Sequence, residues 1–174
     1  KWREELSAIR SFLRMPGGRI LDRLESEENA REGLEQELRT TKSRLFEAET
    51  AGMLGESFQE GDTRILVAVV DCRDGRDLRL RMDILKARIP TGLVILAGRT
   101  EGQVLLLGWA SQDLEKRLPV NVWIRKMATA LGGKGGGRPA WAEGGGPPPP
   151  SWPVFLDTIR AEIREEAQRA LVGS

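Results

Sequence analysis

The sequence predicts an α/β (α+β) protein in which a helical arm precedes a small α/β sandwich, a glycine-rich loop and a C-terminal helix. Three observations support this fold class. A heptad spacing begins at Ile20, apolar runs alternate with helical patterns over residues 64–131, and two glycine clusters surround residues 138–141. The 174 residues therefore divide into an arm, 1–58, and a globular domain, 62–174.

The arm contains two predicted helices. In the first, Leu6, Ile9 and Leu13 share one face, and Met15-Pro16-Gly17-Gly18 ends it. The second is an imperfect coiled coil, because polar residues interrupt its apolar seam. The seam residues are Ile20, Leu24, Glu27, Arg31, Leu34, Leu38, Thr41, Leu45 and Ala48. Two interpretations stay open, namely an antiparallel helical hairpin and a projecting arm that contacts a second copy.

A hinge at Gly52, Gly55 and Gly61-Asp62 separates the arm from the sandwich. Beyond it, three short apolar runs predict strands at residues 64–70, 93–97 and 104–110. Only a short turn separates the second and third runs, which predicts a β-hairpin. Continuous apolar strands with helices between them are typical of a sheet that is covered on at least one face.

Three helices are predicted in the globular domain. The first, residues 76–89, has a buried face that consists of Leu78, Met82, Leu85 and Ile89. The second, 120–131, runs into the glycine clusters, and residues 112–117 add one or two helical turns before it. The third follows the stiff spacer 147–150 and begins near Pro153, whose missing N–H costs nothing in a first turn. The apolar stripe of this last helix predicts that it docks on the sheet.

Composition argues against several classes of protein. The net charge is +1 and the isoelectric point is near 8.1, so binding to a polyanion would depend on local patches. The apolar runs are too short to span a bilayer and no signal sequence opens the chain, which predicts a cytoplasmic protein without a membrane partner. Because the chain begins at Lys1 rather than Met, we expect it to be part of a longer protein.

The sequence contains no recognisable catalytic set. Without histidine it cannot form a Ser/His or Cys/His dyad or a Cys/His zinc site. The single cysteine, Cys72, follows an apolar strand and is interpreted as a small buried hydrophobic residue. We therefore expect no catalytic residue, no metal and no cofactor in this chain.

The glycine motif, residues 132–146, is the most specific feature of the sequence. Its order, GGKGGGRPAWAEGGG, surrounds Lys134, Arg138 and Trp141 with glycine, and its first glycines stand where a helix ends. A flexible linker is the alternative interpretation. The Walker motif does not fit, because Gly135 rather than Ser or Thr follows the lysine. A glycine loop of this kind can present backbone N–H groups and side-chain charge to one phosphate.

The glycine motif resembles the signature of the C-terminal domain of alanyl-tRNA synthetase. The matching residues are Gly132-Gly133-Lys134-Gly135-Gly136-Gly137-Arg138-Pro139, Ala142 and Gly145-Gly146. This domain type is related to one that follows the catalytic domain of DHH-type phosphoesterases, whose glycine motif usually carries a histidine that this chain lacks. The order of the predicted elements agrees with the same resemblance, which therefore covers essentially the whole chain.

The resemblance implies a noncatalytic domain that grips the outer corner of tRNA, with alanine tRNA as the expected partner. Such a domain assists aminoacylation and editing by other domains of an ATP-dependent aminoacyl-tRNA ligase. The expected RNA-binding residues are Lys134, Gly135, Gly136, Gly137, Arg138, Trp141, Arg125 and Lys126. If the glycines serve only close packing, the RNA surface moves to Arg73, Arg76, Arg79, Lys86, Arg125 and Lys126.

Alternatives remain open for single residues and for the whole domain. Arg138 could instead bond to loop carbonyls, and Trp141 could fill the core beneath the terminal helix. At the level of function, one alternative is a homodimer formed through the helical arm or the sheet edge. Another is the substrate-binding half of a DHH-type phosphoesterase, whose metal ligands would lie on an upstream domain.

Overall fold

The computed structural model of the chain describes residues 2–12 and 20–172. The predicted face of Leu6, Ile9 and Leu13 and the predicted break at residues 15–18 lie outside the residues and side chains that it describes. The chain divides into two compact units, Lys1–Arg44 and Leu45–Ser174. Our boundaries at residues 58 and 62 stay a prediction.

Helix α1 (Trp2–Phe12) and most of helix α2 (Ile20–Gly55) belong to the first unit. The three leucines Leu24, Leu34 and Leu38 of the predicted seam are open to solvent, with 50%, 67% and 53% of their surface exposed. Pairing of this seam with another helix therefore stays a prediction. Helix α2 includes Gly52 and ends at Gly55, so the predicted hinge does not interrupt the helix before Gly55.

Within the described residues, the second unit contains six strands and three further helices. They are β1 (Phe58–Glu60), β2 (Thr63–Asp71), α3 (Gly75–Arg88), β3 (Gly92–Arg99), β4 (Val104–Ala110), α4 (Val120–Ala130), β5 (Lys134–Arg138), β6 (Trp141–Gly146) and α5 (Trp152–Val172). One sheet contains all six strands in the order β1-β2-β3-β4-β6-β5. Strands β2 and β3 are parallel and the other neighbours are antiparallel, as in the hairpin predicted for β3 and β4. The predicted fold class is confirmed.

The sheet separates two hydrophobic cores, because successive side chains of a strand point to opposite faces. Ile65 and every second residue of β2 from it pack with α4 and α5, on the side of the sheet that we call the α4 face. Leu66 and every second residue from it pack with α3, on the opposite side, which we call the α3 face. Helix α5 buries Ile159 and Ile163 on the α4 face, so its predicted docking is confirmed.

Two short segments differ from the predictions. Strand β1 was not predicted, because its three residues, FQE, do not form an apolar run. Residues 112–117 form hydrogen-bonded turns instead of a helix. There Leu114 and Leu118 are both buried, and Pro119, which has no backbone N–H, follows directly. No helix within the described residues has the length and apolar character that crossing a membrane would need.

Candidate nucleic-acid interface

The glycine motif begins where helix α4 ends. Gly132 has a positive φ of 72°, the left-handed conformation that terminates helices and that glycine adopts at no steric cost. The N–H of Gly133 donates to the carbonyl of Ala128 at 2.8 Å, which closes the last turn. The predicted terminating role of Gly132 is confirmed. The chain then turns back and enters β5.

The motif forms a β-hairpin, so the predicted loop is wrong. Strands β5 and β6 are joined by a two-residue turn, Pro139-Ala140. The N–H of Val120 donates to the carbonyl of Pro139 at 2.9 Å, and the N–H of Ala110 donates to the carbonyl of Ala140 at 3.1 Å. The glycines of β6 belong to the sheet because β6 pairs with β4. Local sequence patterns do not predict this, since glycine is normally rare in strands.

Several motif glycines are required because backbone and helix atoms approach them closely. A Cβ on Gly133 would lie 1.9 Å from the carbonyl oxygen of Gly145, and one on Gly135 would lie 3.0 Å from the carbonyl oxygen of Ile124 in α4. Gly137 has a φ of 146°. At Gly136, in contrast, an added Cβ would meet nothing within 4 Å. Most of the motif therefore serves close packing, as the alternative interpretation expected.

Strand register places the predicted contact residues of β5 on two sides of the hairpin. Lys134, Gly136 and Arg138 are the Cα partners of Gly145, Glu143 and Trp141, and directly opposed residues share a face. This is the α3 face, because Trp141 packs against the core beside α3. Gly135 and Gly137 belong to the other side, where Gly135 contacts α4.

Lys134 and Arg138 are the unpaired cations of the hairpin. Both are exposed, and within the part of the chain that the structure describes neither forms an ion pair or a side-chain hydrogen bond. The alternative in which Arg138 bonds to loop carbonyls is therefore not observed. Two free positive charges at the ends of one edge strand are available to an anionic partner.

The edge of β5 also offers backbone groups. Gly137 accepts a hydrogen bond at its carbonyl from Nδ2 of Asn121 at 3.2 Å, so its backbone groups point away from β6. Because every second residue of a strand has this orientation, the N–H groups of Gly135 and Gly137 both face outward. Backbone donors and the charges of Lys134 and Arg138 thus occur along the same edge.

Trp141 lies in a polar and aromatic cluster on the α3 face. Its Nε1 donates to Glu143 at 3.1 Å, and the guanidinium of Arg79 donates to both oxygens of Glu143 at 2.9 and 3.0 Å. The ammonium of Lys86 lies 5.4 Å from the ring centroid of Trp141 and 5.7 Å from that of Trp109. Trp141 is thus not beneath the terminal helix, and the alternative that placed it there is wrong.

Sequence reasoning did not identify Trp109 as a functional candidate. It lies in a strand that the sequence predicts. Its neighbour Trp141, however, is 32 residues later in the chain and is brought beside it only by the pairing of β4 with β6. Arg79 and Lys86 belonged to the alternative RNA surface, and the structure brings both beside Trp141. The two surfaces considered from the sequence therefore overlap on the α3 face.

Arg125 and Lys126 lie on α4, which packs on the other side of the sheet. Arg125 is exposed, whereas Lys126 is paired with Glu162 at 2.8 Å and lies 5.6 Å from the ring centroid of Trp123. The structure does not bring these two cations onto the face that carries Lys134 and Arg138.

The described residues contain no group of three or more His, Cys, Asp or Glu side chains that could hold a metal ion. Burial raises the pKa of the Cys72 thiol, so the thiol is protonated at neutral pH and is a poor nucleophile. The chemistry that the arrangement supports is recognition of an anion beside an aromatic surface.

Known proteins resemble this chain over most of its length. The DHHA1 domain family matches residues 62–165. The alanine–tRNA ligases of Saccharophagus degradans and Psychrobacter cryohalolentis are 30% and 25% identical over 156 and 163 residues, which is 90% and 94% of this chain. This chain spans only 18% of the length of either relative. The solved C-Ala domain of the Aquifex aeolicus alanyl-tRNA synthetase is 26% identical, with a TM-score of 0.53 over 62% of this chain and 96% of that chain.

Proposed function

This chain belongs to the DHHA1 domain family, and from that premise we propose that it is a noncatalytic tRNA-binding domain of an alanyl-tRNA synthetase or a close paralogue. The resemblance to the C-terminal domain of these enzymes is confirmed by the curated relatives and by the C-Ala domain structure. The activity of the whole protein and the identity of its tRNA remain within the proposal, with alanine tRNA as the expected partner.

The observation that carries the proposal is the α3 face of the β5–β6 hairpin. It presents two exposed cations, Lys134 and Arg138, which have no partner among the described residues, beside the partly exposed Trp141. Phosphate contacts supply most of the affinity in nucleic-acid binding, and aromatic side chains stack on unpaired bases. The glycines of this edge strand also let the backbone N–H groups of Gly135 and Gly137 approach a phosphate without a side chain in the way.

The partner that fits this surface is folded RNA recognised by its shape. The net charge of the chain is only +1, so a local patch must provide the attraction. Shape recognition needs contacts to phosphates and 2′-hydroxyl groups and few contacts to base edges. The outer corner of tRNA, where the D and T loops meet, offers such a surface. In this role the domain holds tRNA for aminoacylation and editing by neighbouring domains.

Helix α4 contributes a second, smaller part of the proposed surface. Arg125 is one helical turn beyond Asn121, whose side chain binds the outward carbonyl of Gly137. Arg125 is exposed on the α4 side of the sheet, so it would contact a part of the RNA that extends past the edge of β5. Lys126 contributes less, because Glu162 already neutralises its charge.

Binding of the chain to folded tRNA should exceed its binding to an unstructured RNA of equal length. We expect this preference at both low and moderate salt, because an unstructured RNA lacks the fixed arrangement of phosphates at the corner. Fluorescence anisotropy with labelled RNA at two salt concentrations measures both affinities. Equal weak binding to the two RNAs, or no binding, would contradict the proposed function.

Self-association through α2 is the second candidate function, and its support is the exposed seam. Leu34 and Leu38 lie one turn apart and are 67% and 53% exposed, as expected of a helix face that pairs with another copy. We expect the Leu34→Glu/Leu38→Glu variant to be monomeric at concentrations where the unchanged chain is dimeric. Light scattering over a concentration series measures the mass, and a chain that stays monomeric at high micromolar concentration contradicts this candidate.

A further inference from the structure

The indole pair of Trp109 and Trp141 is the least expected feature of the α3 face. We propose that this pair is a stacking site for one unpaired nucleobase of the bound RNA. The inference rests on the proposed function and names the part of the RNA, a nucleobase, that binds to the α3 face. It also adds Trp109 and Lys86 to the RNA-contacting residues expected from the glycine motif.

The two indoles lie on the same face of the sheet, on neighbouring strands. Trp109 and Trp141 are Cα partners on the antiparallel strands β4 and β6, and side chains in that relation stand side by side. Both residues are partly exposed, although they also pack against the core under α3. A hydrogen bond from Nε1 of Trp141 to Glu143 fixes the orientation of the ring. The ring of Trp141 is therefore oriented before a ligand arrives.

Open space lies directly beside the ring of Trp141. Gly136 stands opposite Glu143 on the same face, and an added Cβ there would meet nothing within 4 Å. A shallow depression results, lined by Gly136, Gly137, Arg138, Trp141 and Glu143. A strand with ordinary side chains at this position would cover the depression, so glycine at 136 keeps the outer side of Trp141 accessible.

Charge around the indoles indicates the kind of ligand. The ammonium of Lys86 lies within 6 Å of both ring centroids, at 5.4 and 5.7 Å, a separation typical of cation–π attraction. A base that stacks on the side of Trp141 open to the depression would leave Lys86 beside the indoles, where it can pair with the phosphate of that nucleotide. Arg138 supplies a second exposed cation at the rim.

A nucleobase suits this combination better than an apolar protein side chain. Single-stranded nucleic acids are bound by aromatic platforms flanked by cations, because each nucleotide brings a planar ring and a phosphate. The carboxylate of Glu143, although bonded to Arg79, is an acceptor for amino or hydroxyl groups of the same nucleotide. An apolar peptide would leave Lys86 and Arg138 without partners.

The Trp141→Leu variant tests the stacking site. We expect its affinity for folded tRNA to be about 5- to 150-fold lower, the range found when one base–aromatic stack is removed. The slope of log affinity against log salt should not change, because the variant removes no charge. Trp141→Phe should recover most of the affinity. Circular dichroism confirms folding of each variant, and Trp152→Leu, on the α4 face, is the matched control with unchanged affinity.

Abasic substitution of the tRNA identifies the stacked base. Replacing each unpaired D-loop and T-loop nucleotide in turn should reveal a position where loss of the base weakens binding to the unchanged chain but not to Trp141→Leu. Two results would overturn the stacking site even if the preference for folded tRNA persists. One is an unchanged affinity of Trp141→Leu, and the other is that every abasic substitution weakens binding equally in the unchanged chain and in Trp141→Leu. Absence of that preference in the unchanged chain would instead contradict the proposed function.

Discussion

Replacement of Gly133 with alanine is expected to destabilise the domain severely. The new Cβ would lie 1.9 Å from the carbonyl oxygen of Gly145 and 2.6 Å from the Cα of Gly146. Both contacts are to backbone atoms of the paired strand, which cannot rotate away as a flexible side chain would. We expect the free energy of unfolding to fall by about 3 to 5 kcal/mol, the upper range for single substitutions. Chemical denaturation followed by circular dichroism measures this loss.

Gly136→Ala is the matched control, because it adds the same methyl group to the same motif. Nothing lies within 4 Å of its Cβ position, and its φ is not in the left-handed region. The free energy of unfolding should therefore change by about 0.5 kcal/mol or less. Equal losses in the two variants would mean that a property other than close packing selects glycine in this motif.

The Lys134→Ala/Arg138→Ala variant is expected to bind folded tRNA about 30-fold more weakly at about 0.15 M salt. At that concentration, release of counterions raises the affinity about fivefold for each neutralised phosphate, and the variant removes two such contacts. The slope of log affinity against log salt should become less negative by about 1.5 for the same reason. Stability should be nearly unchanged, because both side chains are exposed. A salt titration of tRNA binding by fluorescence anisotropy measures both quantities.

Arg73→Ala/Arg76→Ala removes the same charge from another exposed part of the domain. Arg76 lies in the first turn of α3, where its backbone N–H donates to the capping residue Asp74 at 2.8 Å, and the side chains of both arginines are exposed. We expect a smaller loss of affinity and a smaller change in slope for this variant. If it has the larger effect, the phosphate contacts lie at the start of α3 and not on the glycine hairpin.

Most secondary structure followed from local patterns. The apolar face of α3, with Met82 and Leu85 fully buried, matches the predicted helix, and the runs that became β2, β3 and β4 matched predicted strands. These elements were predictable because each carries its own hydrophobic period or an uninterrupted apolar run. Strand β1 has neither, and pairing with β2 alone makes it a strand.

The glycine motif shows where local patterns stop being informative. Its order was sufficient to indicate the family and to identify Lys134, Arg138 and Trp141 as candidates. It could not indicate a hairpin, because glycine has no side chain whose alternation would mark the two faces of a strand. Here glycine is required by the close approach of Gly133 to Gly145 and of Gly135 to α4, and neither contact is visible in a local pattern.

The sequence by itself determined the order of the elements, the absence of histidine chemistry and the residues that carry charge beside glycine. Only the tertiary structure decided which of those residues share a face. It grouped Lys134 and Arg138 with Trp141 and separated them from Arg125, and it brought Trp109 beside Trp141. The physical reason is that strand register and the order of strands depend on pairings between distant residues, which no local period encodes.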